Sequence, residues 1–211
     1  MIKLHNADYW INRPLGSEKD WFDHQPNWIE SYIHSVDHPH RQMIIDIMRE
    51  LGPIGNLLEL GCCVGSNLLR IQESFPKMKL AGIDVNETCI ARAREFLPDA
   101  FLKVSSYFSI PFTDKSFDAV LADASLMYAN PDDIVKAIQE IDRVTRWAVI
   151  IVDRFNESRL GIRNGHVWAR NYPKLLADCG FKTEVIRKIS KKMWPKSAGW
   201  QKYGYLFAVH R

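Results

Sequence analysis

The chain has 211 residues, 46% of them hydrophobic and 25% charged, and a net charge of +3. That length holds one sizeable domain with an appendage, and that balance of residues excludes an intrinsically disordered chain. The charge is too small to argue for nucleic acid by itself, and no apolar run approaches the ~18 residues of a membrane span. The first ten residues, MIKLHNADYW, lack the apolar core of a signal peptide, so the expectation is a soluble, cytoplasmic protein.

The first fifty residues are rich in aromatic side chains (Tyr9, Trp10, Trp21, Phe22, Trp28, Tyr32) and carry histidines at His34, His38 and His40. Helices are expected over 28–34 and 39–51. Residues 1–52 read as a helical lid or as a plain packing extension. From Ile54 onward apolar runs alternate with amphipathic stretches. The first run, 56–60, suits a buried parallel strand, and a helix follows at 66–74. A second run, 79–83, is closed by Asp84. Asn86 then caps a helix over 87–97, with Pro98 just past its end. Runs at 100–104 and 117–122 follow. Pro131 sits in the first turn of a helix over 132–144, where Asp132 and Asp133 suit the helix dipole. A fifth run covers 147–152.

Strands alternating with helices in this way point to an α/β sheet with right-handed crossovers, formed by residues 53–211. The end of the chain breaks the alternation. After a helix at 172–179, two strands at 181–189 and 203–210 follow with no helix between them, as an edge hairpin would.

Residues 57–71 read LLELGCCVGSNLLRI. A strand enters a glycine-bearing loop that opens a helix. The glycines let backbone approach a ligand, and the helix N-terminus offers free N–H groups to an anion. Asp84 ends the next strand, the usual place for a ribose-binding acid. Two ligands fit such an arrangement, a dinucleotide and S-adenosyl-L-methionine. The dinucleotide fingerprint G-x-G-x-x-G is absent, because Gly61 and Gly65 are four apart and position 63 is cysteine. The four cysteines (Cys62, Cys63, Cys89, Cys179) form no zinc spacing and no C-x-x-C, so no metal is expected and they read as small buried thiols.

The segment resembles motif I of the class I S-adenosylmethionine-dependent methyltransferases, acidic-x-G-x-G-x-G. Glu59, Gly61 and Gly65 match, and Cys63 replaces the middle glycine. GIDVN at 82–86 is similar to the family's second strand and its ribose-binding acid. IPFTDKSFDAVLAD at 110–123 resembles its LPF-x-D-x-SFD-x-V segment, and EIDRV at 140–144 its E-x-x-RV. The match spans 57–152.

The resemblance implies a Rossmann-like, mostly parallel seven-stranded sheet of order 3-2-1-4-5-7-6, with helices on both faces. It implies transfer of a methyl group to an O, N or C nucleophile, with S-adenosyl-L-homocysteine as product. By the same resemblance Glu59, Gly61, Cys63 and Gly65 hold the methionine and ribose portion. Asp84, with Val85, binds the ribose, and Ser106 and Tyr107 meet the adenine. Asp123 orients the methionine part or the acceptor. Trp10 and Arg13, with Tyr9, close over the cofactor, and His40 and Arg41 are further candidates. Asp123, Tyr128 and His166 are the candidate bases.

Three departures from the family stand out. Cys63 adds a side chain to the glycine loop. Ser106 stands where an acid often faces the adenine. The Pro-Gly-Gly turn before strand five is missing, so that connection should be tight.

Two further segments are informative. The stretch 153–172 is long and polar, and its arginines (Arg154, Arg159, Arg163, Arg170) suit an anionic group on a substrate. SKKMWPKSAGWQK, at 190–202, interleaves lysines with Trp194 and Trp200, as a single-strand nucleic-acid site, a substrate wall or an exposed hairpin tip with packed tryptophans would. Without a dedicated RNA- or protein-binding domain, the expected acceptor is a small molecule, and nucleic acid ranks last. The alternatives are an RNA methyltransferase and a non-catalytic partner protein that binds S-adenosylmethionine. Nothing in the sequence fixes the oligomeric state.

Overall fold

The apolar runs form the interior of a seven-stranded sheet. A computed structural model describes residues 6–13, 27–195 and 197–211; Trp21 and Phe22 lie outside them. In chain order the elements are α1 (Asn6–Ile11), α2 (Trp28–Ile33), α3 (Pro39–Leu51), β1 (Asn56–Leu60), α4 (Ser66–Ser74), β2 (Lys79–Asp84), α5 (Glu87–Phe96) and β3 (Phe101–Val104). Then come β4 (Phe117–Asp123), a 3-10 turn (Leu126–Tyr128), α6 (Pro131–Val144), β5 (Thr145–Arg154), β6 (Ile162–Asn164), β7 (Val167–Ala169), α7 (Tyr172–Ala177), β8 (Lys182–Lys188), α8 (Ala198–Tyr203) and β9 (Gly204–His210).

The large sheet runs β3-β2-β1-β4-β5-β9-β8, and β6-β7 form a separate ribbon. With the ribbon strands left out of the count, the order is 3-2-1-4-5-7-6. The first five strands pair in parallel, and β9 is antiparallel to both β5 and β8.

Strand alternation divides the core into two layers. Leu57, Leu121, Ile150 and Leu206 face Ile44, Ile47 and Met48 of α3, together with Leu68 and Ile90. Leu58, Val120, Ile151 and Phe207 face α6 and α7. In α6 the buried residues Ile134, Ala137, Ile138, Ile141 and Val144 recur at helical spacing and form one face. Arg143, on the last turn of α6, donates to the carbonyls of Ile110 and Phe112 at 2.8 and 2.7 Å. This ties the IPF segment to the E-x-x-RV segment. β5 begins at the residue after α6 ends, so the connection without Pro-Gly-Gly is indeed tight.

Two expectations need correction. The last two strands do have a helix between them, α8, anchored by Trp200 at 1% exposure. One buried side chain in six residues gives no periodicity to read. The polar stretch after β5 is not wholly irregular either, because β6 and β7 fold back on each other around Gly165.

Candidate active site

β1 lies between β2 and β4, so the chain crosses the sheet in opposite directions on its two sides. This is where an α/β sheet opens a crevice at its carboxyl edge. Leu60 pairs with Ile83 on one side and Ala122 on the other. Asp84 and Asp123 therefore end the strands that flank Gly61. A cavity of about 650 Å³ lies over this edge.

The glycine loop forms its floor. Gly61 and Cys62 both donate their N–H groups to the Ile83 carbonyl, at 2.8 and 3.0 Å. A Cβ on Gly61 would lie 2.6 Å from Ser125 Cβ, and its φ of +71° is a glycine conformation. Cys63 keeps such a conformation (φ +49°) while carrying a side chain. Its N–H donates to Asp84 Oδ2 at 2.9 Å, and Asp84 Oδ1 accepts from Asn86 N–H at 2.8 Å. Burial raises the Asp84 pKa, and these N–H groups oppose the rise. The adjacent cysteines have different tasks. Cys62 packs into the core against Gly82, where a Cβ would come within 2.7 Å of its sulfur. The Cys63 thiol turns toward Cys89. Gly65 does not line the cavity. It starts α4 at φ +80°, and a Cβ there would strike Leu97 Cδ1 at 2.5 Å, so it serves packing rather than ligand contact.

A polar cluster lies beside the loop. Asn67 Nδ2 donates to Glu59 Oε1 at 2.6 Å and to Asp123 Oδ2 at 2.9 Å. His40 Nε2 meets the same Asp123 oxygen at 2.8 Å. Burial pushes Glu59 up to about 8, although the Asn67 contact opposes it. Burial would also raise Asp123, but His40, Arg41 and Asn67 outweigh it and hold the carboxyl below its ordinary value. Burial lowers His40 despite Asp123. The pair is therefore a carboxylate accepting from a neutral imidazole, with the proton on Nε2. His40 Nδ1 then faces His38 Nδ1 as an acceptor, and burial with the neighbouring His40 lowers His38 to about 4.

Among the described residues, the buried atoms Glu59 Oε2, Asn67 Oδ1, Asp123 Oδ1 and Ser125 Oγ have no hydrogen-bond partner. Each such buried group costs roughly 1–3 kcal/mol, so the cluster calls for a ligand that brings donors. Arg41 supplies the complement. It is 5% exposed, lines the cavity, donates to the Ser35 carbonyl, and has no carboxylate within ion-pair reach among the described residues. The acceptor cluster and Arg41 are together complementary to a ligand that carries both an ammonium and a carboxylate.

The opposite wall is aromatic. Trp194 stacks on Trp200 (ring centroids 4.5 Å apart, planes at 10°) and lies 4.6 Å from the rings of both His38 and His40. Met127, Tyr128, Met193 and Trp10 extend this surface. Both tryptophans of 190–202 thus face the cavity.

Of the other expected site residues, Val85, Ser106, Tyr107, Asp123 and Tyr128 line the cavity. Ser106 Oγ accepts from Phe108 N–H at 3.2 Å and so also caps its own turn. Three expectations are corrected. Arg13 lies behind the wall, its guanidinium 4.4 Å from the Trp28 ring and 4.9 Å from that of Trp10, held by cation–π attraction instead of facing a ligand. His166 is exposed on the β6–β7 turn, stacked against Tyr128 at 5.9 Å and outside the cavity lining; His38 and His40 line it instead.

The third correction concerns the arginines after β5, none of which lines the cavity. Each has a partner within the chain: Arg154 bonds Asn164, Arg159 pairs with Asp178, and Arg163 bonds the Gly165 carbonyl. Arg170 is fully buried and donates to the carbonyls of Leu160, Leu126 and Ala129, which fixes the 3-10 turn that carries Met127 and Tyr128. Arg170→Leu strands those three carbonyls and is expected to cost roughly 3 kcal/mol or more. Urea unfolding measures this, and an unchanged midpoint would remove Arg170 from that role.

Asn67 was missed from sequence. Its signal is a polar side chain in the first turn of α4, where the helix should bury an apolar face.

Residues 57–147 match the family model described as a methyltransferase domain. Trans-aconitate 2-methyltransferase of Escherichia coli O1:K1 / APEC is 26% identical over 146 residues, which cover 67% of this chain and 57% of that protein. The Variovorax paradoxus enzyme of the same name is 27% identical over 113 residues, covering 54% and 41%. The chain thus spans 57% of the length of the first of these curated relatives and 41% of the second. Among solved structures, geranyl diphosphate C-methyltransferase from Streptomyces coelicolor A3(2) superposes with a TM-score of 0.70 at 15% identity, covering 97% of this chain and 96% of that one. Magnesium protoporphyrin IX methyltransferase from Synechocystis PCC 6803, with bound SAM, gives 0.68 at 15% identity, covering 97% and 94%. At that identity the likeness is one of fold.

Proposed function

We propose that the chain is a class I S-adenosylmethionine-dependent methyltransferase and that it methylates a small molecule held against the aromatic side of the cavity. One observation carries this reading. A single cavity joins a charged end matched to an amino acid, a ribose-type acid at Asp84, and a separate wall of Trp194, Met127 and Tyr128. The relatives named above act on trans-aconitate, magnesium protoporphyrin IX and geranyl diphosphate, all small molecules.

S-adenosylmethionine, when bound, supplies a sulfonium-activated methyl group. The chain's part is to hold and orient. Glu59, Asn67 and Asp123 receive the ammonium, Arg41 the carboxylate, and Gly61 and Cys63 bring backbone alongside. Asp84 takes the ribose hydroxyls on its remaining lone pairs, and Val85, Ser106 and Tyr107 border the adenine. Trp10 on α1 and Trp28 and Tyr32 on α2 act as a lid that excludes water from above. His40, held by Asp123, stands at the boundary between the two halves. A proton from an acceptor hydroxyl, amine or acidic carbon reaches His40 Nδ1 by way of the His38 ring, and Asp123 stabilises the imidazolium that forms. Alignment of nucleophile and methyl group accounts for much of the acceleration.

The test is to incubate the protein with methyl-labelled S-adenosylmethionine and, separately, low-molecular-mass and RNA fractions of a cell extract. Label in the small-molecule fraction supports the reading; label confined to RNA contradicts it.

Glu59 gives a further prediction. With a pKa near 8 in the free protein it is mostly protonated at pH 7. A bound ammonium favours its ionised form, so its pKa falls and binding releases about one proton. Affinity then rises with pH between about 6 and 8. Titrations in buffers of different ionisation enthalpy measure the release; buffer-independent heats would remove Glu59 from the ammonium site.

A further inference from the structure

Cys63 and Cys89 bring their sulfurs to 3.4 Å at the edge of the cavity. Cys63 lies on the glycine loop and Cys89 in the first turn of α5, with its N–H on the Asn86 cap at 3.0 Å. Asp84 joins the two segments from beneath, taking Cys63 N–H on one oxygen and Asn86 N–H on the other. A bond between the sulfurs would therefore tie together the two backbone segments that hold Asp84. The other cysteines are placed elsewhere, Cys62 in the core under Gly82 and Cys179 against the opposite layer.

We propose that Cys63 and Cys89 form a modification site, at which a hydroperoxide converts the pair to a disulfide that locks the glycine loop to α5 and weakens cofactor binding. The effect on binding rests on the function proposed above; the bond itself does not. The sulfurs must close from 3.4 Å to about 2.05 Å, which needs a small movement of the loop. Peroxide transfers one oxygen to Cys63 Sγ, giving a sulfenic acid and releasing water. Cys89 Sγ then attacks that sulfur, the S–S bond forms, and the hydroxyl leaves with the Cys89 proton as a second water. Two thiols lose two electrons and two protons, and one hydrogen peroxide becomes two waters.

The ionisable groups around Cys63 are Cys89 on α5, Asp84 on β2, Cys62 in the loop, Tyr32 on α2 and Arg41 on α3. The Cys89 contact and burial hold the Cys63 thiol well above its ordinary pKa, so the oxidation is slow at neutral pH and faster as pH rises.

The full chain, reduced and free of cofactor, is treated with hydrogen peroxide and digested without reductant. The expected product is a peptide pair joined through Cys63 and Cys89, with fragmentation between Cys62 and Cys63 assigning the sulfur. S-adenosylhomocysteine present during oxidation should slow the joining. The oxidised protein should bind S-adenosylhomocysteine at least ten-fold more weakly, with recovery after dithiothreitol. In Cys89→Ser, peroxide should give no linked peptide pair, and Cys63 should stop at the sulfenic acid. Oxidation of Cys179 without any 63–89 link would overturn the site. A complete link that leaves affinity unchanged would overturn its effect. If the reduced protein binds no S-adenosylhomocysteine, the proposed function fails, while the peptide map still decides whether the pair forms.

Discussion

Asp123→Asn is expected to lower methyl transfer by about 100-fold or more with the fold retained. The amide occupies the same volume and can keep one contact each with Asn67 and His40. It removes the charge that fixes the proton on His40 Nε2. Asn67 and His40 meet the same Asp123 oxygen, so an amide that puts its oxygen there keeps both contacts and places Nδ2 in the position of Oδ1, whereas one that puts Nδ2 there loses the Asn67 bond. Either way His40 no longer has an anion to stabilise its charged form, and burial alone already disfavours that form. The ammonium cluster also loses an acceptor, Asp123 Oδ1. The expected pattern is a large fall in kcat with a smaller fall in cofactor affinity. Comparing labelled-methyl turnover with S-adenosylhomocysteine binding separates the two, and a wild-type kcat would remove Asp123 and His40 from the reaction.

Asp84→Ala is expected to weaken binding of S-adenosylmethionine and S-adenosylhomocysteine about 30- to 100-fold, or roughly 2–3 kcal/mol. Two effects combine. The ribose loses its acceptor, and the N–H groups of Cys63 and Asn86 lose theirs. The second effect loosens the loop that passes under the ligand, so alanine should be worse than asparagine. Circular dichroism should stay unchanged, because Asp84 lies beyond the hydrophobic layers. Unchanged affinity would take Asp84 out of the ribose site.

Much of this arrangement was legible in the sequence. Continuous apolar runs such as NLLEL and WAVIIV can bury both faces only inside a parallel sheet. The glycine loop and Asp84 lie on adjacent strands, so their spacing alone brings them together. The same reasoning failed where the partners are distant. His40 and Asp123 are 83 positions apart and meet only because α3 packs across the sheet edge. Arg170 looked like a substrate ligand because a polar loop does not reveal which backbone carbonyls will need its guanidinium. α8 and the β6–β7 ribbon are too short to impose a period, and the inward turn of Trp194 and Trp200 depends on contacts with His38 and His40. Cys63 was readable as a glycine substitute by position. Its contact with Cys89, 26 residues on, was not.

The most direct test of the cavity assignment is calorimetric titration of the purified chain with S-adenosylmethionine, S-adenosylhomocysteine and NAD in parallel. Micromolar binding of the first two, weakened together in Asp84→Ala and absent for NAD, is the result expected here. Binding of NAD alone, or of none of the three, would contradict the assignment of this cavity to S-adenosylmethionine.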